Sequence, residues 1–268
     1  MNRSPRTIAA AVTIAAVAAV PAAADAKPTI TMSGSTSIAP LAAKLIRTYL
    51  RQGHNVRFSL LQGGSDIGVA DVARRRVSIG NSSRDPKPTD PGGLVFNPIA
   101  RDGICLITNP ANRLPSLSQA GVQALFSGKV RNWSQVPGAT VSGTVGLNVR
   151  TAASGTQDAF QKIFQNPATI SSTAAARASN GLVQQSVQRN KRAIGYVSLA
   201  FTAGTHPVAY KGVACNLRNA KSGQYGGLRT FYMVTRGRPQ GATRDFIRWI
   251  TRNSAAKRVT ATDWVPLS

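Results

Sequence analysis

The 268-residue chain has no glutamate. Its nine acidic residues are all aspartates, set against 33 lysines and arginines. Histidine is almost absent, with only His54 and His206, far apart in the sequence, and there are two cysteines. The residue types that build transition-metal sites are too few and too dispersed to form one, so no metal or other cofactor is expected. Aromatic residues make up 6% of the chain, and no helix-turn-helix, RNA-recognition or zinc pattern occurs. The formal charge of +24 would ordinarily suggest nucleic acid, but the cations are scattered rather than gathered in a recognition segment. No nucleic-acid partner is expected; solubility, a small anionic ligand or an acidic cell-surface neighbour accounts for the excess. Hydrophobic residues supply 42% of the chain, enough for one or two domains with a packed core.

Residues 1–26 read as a signal peptide. MNRSPR is positively charged, Thr7 to Val20 is an Ala/Val/Ile run, and Ala24-Asp25-Ala26 is an A-x-A site. The run falls short of the roughly 20 residues that span a bilayer. Arg3 and Arg6 are not adjacent, against a twin-arginine signal, and no cysteine stands near the cleavage site for lipidation. A soluble mature protein, periplasmic or secreted, is expected to begin near Lys27 with a net charge of +23. Such a compartment permits a disulfide between Cys105 and Cys215, with two buried thiols as the alternative.

After Lys27 the chain alternates strand and helix patterns. Thr29 to Met32 reads as a strand, and Ile38, Leu41, Ala42, Leu45, Ile46 and Tyr49 follow at helical spacing. Val56, Phe58 and Leu60 alternate as a strand before a second helix over Ile67 to Arg75, and further strands are read at Val77 to Ile79 and Gly103 to Thr108. From about Pro110 the pattern restarts, with helices at Gln119 to Phe126 and Gln157 to Phe164 and strands at Val145 to Arg150 and Ala193 to Ser198. A strand at Leu228 to Val234 and a helix at Thr243 to Arg252 are left over. The expected class is α/β with mixed sheets flanked by helices. The expected organisation is two lobes, 27–106 and 107–208, with 209–268 returning to the first.

Three turns share a chemistry: SGSTS at Ser33 to Ser37, GGSD at Gly63 to Asp66, and ASGT at Ala153 to Thr156. Each sets glycine and hydroxyl residues before a helix, where free backbone N–H groups and the positive end of the dipole favour an anion. One such turn is an ordinary N-cap. Three of them, with Arg150 just upstream of Ser154 and Ser82-Ser83-Arg84 after the third strand, supply the donors that a tetrahedral oxyanion requires.

With these residues on the page, the stretches GSTSIAPL, QGGSDIG, IGNSSRDP, ARDGICLITNP, LFSGKVRNW and RTAASGTQDAF, in this order, resemble the PstS family, the extracytoplasmic phosphate-binding components of bacterial ABC transporters. The resemblance implies a type II periplasmic-binding-protein fold with a two-strand hinge, inorganic phosphate held in the cleft, delivery to a membrane permease, and a monomer. It implies ligand contacts from Ser35, Thr36 and Ser37 in the first turn, Ser65 in the second, and Arg150, Ser154, Gly155 and Thr156 in the R-x-x-x-S-G-T motif. Ser83 stands where many members carry an aspartate that accepts the ligand's proton, and Ala152 replaces another acid. Asp66 is the expected substitute acceptor, and Arg84 a second cationic contact.

Sulfate and arsenate are the alternative ligands, and sensing or adhesion the alternative roles. The rival class is a serine acyl-transferase, because Ser254 to Lys257 fits S-x-x-K and Lys221-Ser222-Gly223 resembles K-T-G. Those motifs stand in reversed order, no G-x-S-x-G elbow is present, and neither histidine has a serine motif beside it. No enzymatic activity is expected.

Overall fold

A computed structural model describes Met1 and residues 27–267; the expected signal peptide lies outside the described residues. The chain begins with β1 (Thr29–Gly34), α1 (Ala39–Arg51), β2 (Arg57–Leu60), α2 (Ser65–Ala73) and β3 (Ile79–Ser82). β2 and β3 both pair in parallel with β1. Helix α1 buries Leu41, Ala42, Leu45 and Tyr49 along one side, as the i, i+3/i+4 spacing of its apolar residues requires. At the end of β1, Gly34 has φ +123°, and a Cβ there would lie 2.4 Å from the carbonyl oxygen of Asn81. Only glycine allows this approach, which turns residues 35–38 out of the sheet and toward the second half of the molecule.

Next comes β4 (Leu94–Thr108), followed by β5 (Ser116–Leu117), α3 (Gln119–Phe126), β6 (Gly146–Arg150), α4 (Gly155–Phe160), which continues as a π-helical turn over Gln161–Gln165, β7 (Ala175–Arg177), α5 (Asn180–Arg189), β8 (Ala193–Ser198), β9 (His206–Tyr210) and α6 (Leu217–Lys221). The chain closes with β10 (Leu228–Arg236), α7 (Gly241–Arg252) and α8 (Ser254–Ala261). The strand order is β2-β1-β3-β10-β4-β8-β6-β7, with β9 beside β4 and β5 beside β9. The fifteen-residue β4 carries the chain across: its first part pairs antiparallel with β10, and its last residues pair with β8 and β9.

Two hydrophobic cores lie on either side of this crossing. One holds Ile30, Leu41, Leu45, Ile99, Phe231, Met233, Phe246 and Trp264; the other holds Ile104, Leu106, Phe126, Trp133, Phe160, Tyr196 and Tyr225. The two crossings run side by side, with the Ile104 amide donating to Gly227 O at 2.8 Å. Tyr210, Cys215 and Tyr225 all pack in the second core, so the chain returns to the first near Gly227 rather than at position 209. Cys105 and Cys215 are joined in a disulfide within the second core, spanning 110 residues.

Candidate functional site

The first hydroxyl turn and the third meet face to face where the two lobes touch. Ser37 Oγ lies 3.0 Å from Thr156 Oγ1, joining residues 119 positions apart. Asn180, the first residue of α5, donates from Nδ2 to Thr36 Oγ1 at 3.1 Å and to Ser37 Oγ at 2.8 Å, while its Oδ1 accepts the Ser198 amide at 3.0 Å. All four side chains are buried. Behind them Ser35 Oγ donates to Ser83 Oγ at 2.8 Å, Ser65 Oγ lies 3.2 Å from the same oxygen, and the Ser83 amide donates to Ser65 Oγ at 2.9 Å. Gly155 packs directly on this trio. A Cβ at Gly155 would stand 2.4 Å from Ser65 Oγ and 2.9 Å from the Arg84 amide nitrogen, so the close approach of the lobes requires glycine here.

Two guanidinium groups converge on the front cluster. Arg150, at the end of β6, donates to the carbonyls of Arg177 and Ala178 at 3.1 and 2.9 Å, which fixes its plane. Its remaining Nη donors reach Thr36 Oγ1 at 3.1 Å and Thr156 Oγ1 at 3.4 Å. The Arg150 amide is held in turn by Tyr196 Oη and Gln157 Oε1, and the Tyr196 ring stacks on Phe160 at 3.8 Å. Arg229, from β10, donates to Thr156 Oγ1 at 2.8 Å and to Ser37 Oγ at 2.9 Å, bridging the two turns. Its Nε and Nη2 pair with Asp102 Oδ2 at 3.0 and 2.8 Å.

Among the described residues Arg150 has no carboxylate at ion-pair distance. Burial, together with the neighbouring Arg229 charge, lowers its guanidinium to about 10, which still leaves it ionised at neutral pH. Burial lowers Arg229 as well, against the pull of Asp102. The site is thus a desolvated cluster in which N–H and O–H donors outnumber charged acceptors. Two guanidinium groups resort to neutral hydroxyl oxygens as acceptors, a position that an anionic oxygen would fill far more strongly.

The expected contacts therefore divide. Thr36, Ser37, Arg150 and Thr156 form the front of the site, and Ser35, Ser65, Ser83 and Gly155 form the layer behind it. Ser154 caps α4, accepting from the amides of Thr156 and Gln157 at 3.2 and 3.4 Å. Asp66 and Arg84 do not face the cluster. The Arg84 guanidinium turns outward, giving Nε to Asp66 Oδ1 at 2.6 Å and both Nη groups to the Asp90 carboxylate. Asp66 is thereby committed to an ion pair and is 39% exposed, also facing Lys87. Asp66 was expected to receive a ligand proton and Arg84 to contact the ligand; in the structure each satisfies the other's charge outside the cluster.

Three site residues were not anticipated: Asn180, Arg229 and Asp102. One signal was available, since Arg229 shares a strand face with Phe231 and Met233, and a charge in a core-facing position asks for a buried partner. A separate cavity of about 550 Å³, lined by Arg131, Asn148, Ser171, Thr173 and Arg177 among others, lies behind β6 in the second lobe and away from the hydroxyl turns. Among the described residues no group of three or more His, Cys, Asp or Glu could hold a metal ion, and no helix is long and apolar enough to cross a membrane.

Two α/β lobes joined by paired crossing strands, with a donor-rich site where they meet, define a two-lobe periplasmic-binding-protein fold. The family model of the PBP superfamily domain matches residues 19–254, and the chain belongs to that superfamily. Within that superfamily the chain is similar to PstS proteins. It is 24% identical over 245 residues to the phosphate-binding protein PstS of Bacillus subtilis, covering 89% of this chain and 81% of that one. A Clostridium perfringens structure described as a phosphate ABC transporter substrate-binding protein with bound phosphate superposes with a TM-score of 0.83 at 26% identity, over 90% of this chain and 100% of the other. The fold is shared with an ABC-type phosphate transport receptor of Vibrio cholerae, with a TM-score of 0.72 at 22% identity over 89% of this chain and 100% of that one.

Proposed function

We propose that this chain is an extracytoplasmic substrate-binding protein that captures inorganic phosphate between its lobes and delivers it to the membrane permease of a phosphate ABC transporter. The observation that carries this reading is Arg150: 3% exposed, its guanidinium held in place by backbone carbonyls and surrounded by hydroxyl and amide groups, with no carboxylate at ion-pair distance among the described residues. A buried charge without a partner is costly, and a tetrahedral oxyanion arriving among Thr36, Ser37, Thr156 and Asn180 removes that cost. The ligand also joins the lobes, because the donors come from both; closure follows from its higher affinity for the shut form. The relatives bear on the same point, being named as phosphate-binding or phosphate-transport proteins. Binding and release require no bond to be made or broken, and no catalytic step is assigned to the site.

Calorimetric titration of residues 27–268 with phosphate tests this, with small-angle scattering in parallel. One phosphate per chain and a more compact particle are the expected results. No heat of binding together with unchanged dimensions would overturn the proposal.

A further inference from the structure

At the end of the first lobe remote from the cleft, a hollow of about 430 Å³ is lined by Arg75, Arg76, Arg236 and Arg238, with Ser78 and Thr243 beside them. Its place follows from the sheet. β10 leaves the cleft at Arg229 and runs antiparallel to β3, with Val234 opposite Gly80, so at the rise of an extended strand Arg236 stands roughly 20 Å from Arg229. Four of the twelve residues that line the hollow are arginines, whereas the whole chain has 33 lysines and arginines in 268 residues. Cations that are scattered in the sequence are gathered here by the fold.

Countercharge does not accompany them. Among the described residues the only carboxylate at ion-pair distance from any of the four is Asp71, 3.7 Å from Arg76 Nη1, and Asp71 also accepts Ser33 Oγ at 2.9 Å. Arg236 gives Nη1 to Ala73 O at 2.8 Å, while Arg75 and Arg238 make no side-chain hydrogen bond among the described residues. The first turn of α7, whose Thr243 lines the hollow, holds no acidic residue. Like charges around one hollow repel each other, and an anion seated between them reverses the sign of that interaction. Arg75 adds a second observation. α2 ends in a Schellman turn, with the Arg76 amide donating to Asp71 O at 2.9 Å and the Arg75 amide to Val72 O at 3.0 Å. Arg75 occupies the left-handed position of that turn, with φ +58°. Glycine is the usual occupant, so a long cationic side chain is kept there at a cost in backbone energy.

We propose that this hollow is a second anion site, for a ligand that carries two or more linked phosphate groups. Guanidinium forks match phosphate oxygens bidentately. Four guanidiniums against the one carboxylate of Asp71 leave three positive charges, more than a single orthophosphate carries at neutral pH. Linked phosphates supply that charge in a small volume and present oxygens in several directions, where a carboxylate presents one plane. The site lies outside the cleft, and its occupancy does not depend on what the cleft binds.

The probe is inorganic tripolyphosphate, titrated calorimetrically into residues 27–268 with orthophosphate already in excess at the cleft. One tripolyphosphate per chain is the expected result. Arg75→Gly should lower its affinity by about tenfold, with a melting temperature in the absence of tripolyphosphate that is unchanged or higher, because glycine suits the left-handed turn. Arg75→Gly/Arg238→Gln should lower the affinity by about a hundredfold, and neither variant should alter orthophosphate binding at the cleft. A wild type that binds no tripolyphosphate would overturn the proposal, as would equal affinity in wild type and the double variant, which would place the ligand elsewhere. Citrate binding as tightly as tripolyphosphate would overturn the assignment to linked phosphates. Vesicles of phosphatidylglycerol form the last arm: binding to them that needs Arg75 and Arg238, without binding of tripolyphosphate, would make this end of the lobe a membrane-docking face instead. A wild type that takes up tripolyphosphate but no orthophosphate fails the function proposed above and upholds this site, provided the two arginine substitutions weaken the binding.

Discussion

Arg84 and Arg150 are equally buried, each 3% exposed, and they stand in opposite surroundings. Arg84 belongs to the rim where the lobes meet, with Asp66 and Asp90 on its guanidinium and the pairs Lys87–Asp158 and Lys162–Asp85 close by, each at 2.8 Å. Burial would lower Arg84, but those carboxylates raise it above its ordinary value. Arg150 belongs to the floor, where two guanidiniums share Asp102 alone and burial prevails. A chain with nine acidic residues places four of them on the rim and one on the floor. Burial alone therefore does not mark a ligand-binding arginine; burial without a countercharge does.

Exchanging each arginine for alanine separates the two regions. Arg150→Ala should weaken phosphate binding by about 4 kcal/mol, because a buried anion loses a charged partner, and leave the melting temperature little changed. Arg84→Ala should do the reverse. It exposes Asp90, only 11% exposed, to an unpaired state, and should cost about 2–3 kcal/mol of stability while phosphate still binds. Titration calorimetry and thermal unfolding of both variants read the contrast, which collapses if both lose binding to the same extent. A smaller effect is expected at the seam between floor and rim. Gly155→Ala puts a methyl group against Ser65 Oγ, Ser83 Oγ and the Arg84 amide and should weaken closure on phosphate by about 1–3 kcal/mol, seen as a lower affinity and a less compact bound form.

The sequence carried the turns of this site and little of its framework. Thr36, Ser37, Ser154 and Thr156 were legible because turn chemistry is local: glycine and hydroxyl residues precede apolar helical runs. Arg150 was legible because it precedes its own turn on the same strand. Arg229 and Asp102 meet across 127 residues, and no local pattern encodes that pairing. Asp102 stood within a motif used for the family resemblance, yet Arg101-Asp102-Gly103 reads as a turn. The same signal, with Asn97-Pro98 before it, hid the first half of β4, which was expected only from Gly103. In the structure the proline is accommodated by a register shift between Phe231 and Tyr232 on β10, the usual tolerance of a strand for proline at an irregularity. Asp66 misled because it follows Ser65 directly, and only the tertiary fold shows that its carboxylate belongs to Arg84.

The smallest effect is expected from the outer rim itself. Lys162 and Asp85 are 70% and 50% exposed and Lys87 and Asp158 33% and 31%, so solvent screens both pairs and each should contribute about 0.2–1 kcal/mol. Both join residues of opposite lobes, so that contribution belongs to closure rather than to the folding of either core. The hydrogen bond from Lys162 holds the Asp85 carboxyl below its ordinary value, against burial. Its contribution is therefore present above the unfolded carboxyl value of about 3.9 and is lost as pH falls through the lower folded value. At neutral pH the lever is salt: raising ionic strength from about 0.1 M to 1 M shortens the screening length from about 10 Å to 3 Å. A double-mutant cycle on Lys162→Ala and Asp85→Ala, read as phosphate affinity at both salt concentrations, should give a small coupling at low salt that vanishes at high salt. A coupling that persists at high salt would mean that the rim holds the lobes by packing, and that its carboxylates do more than keep countercharge away from the floor.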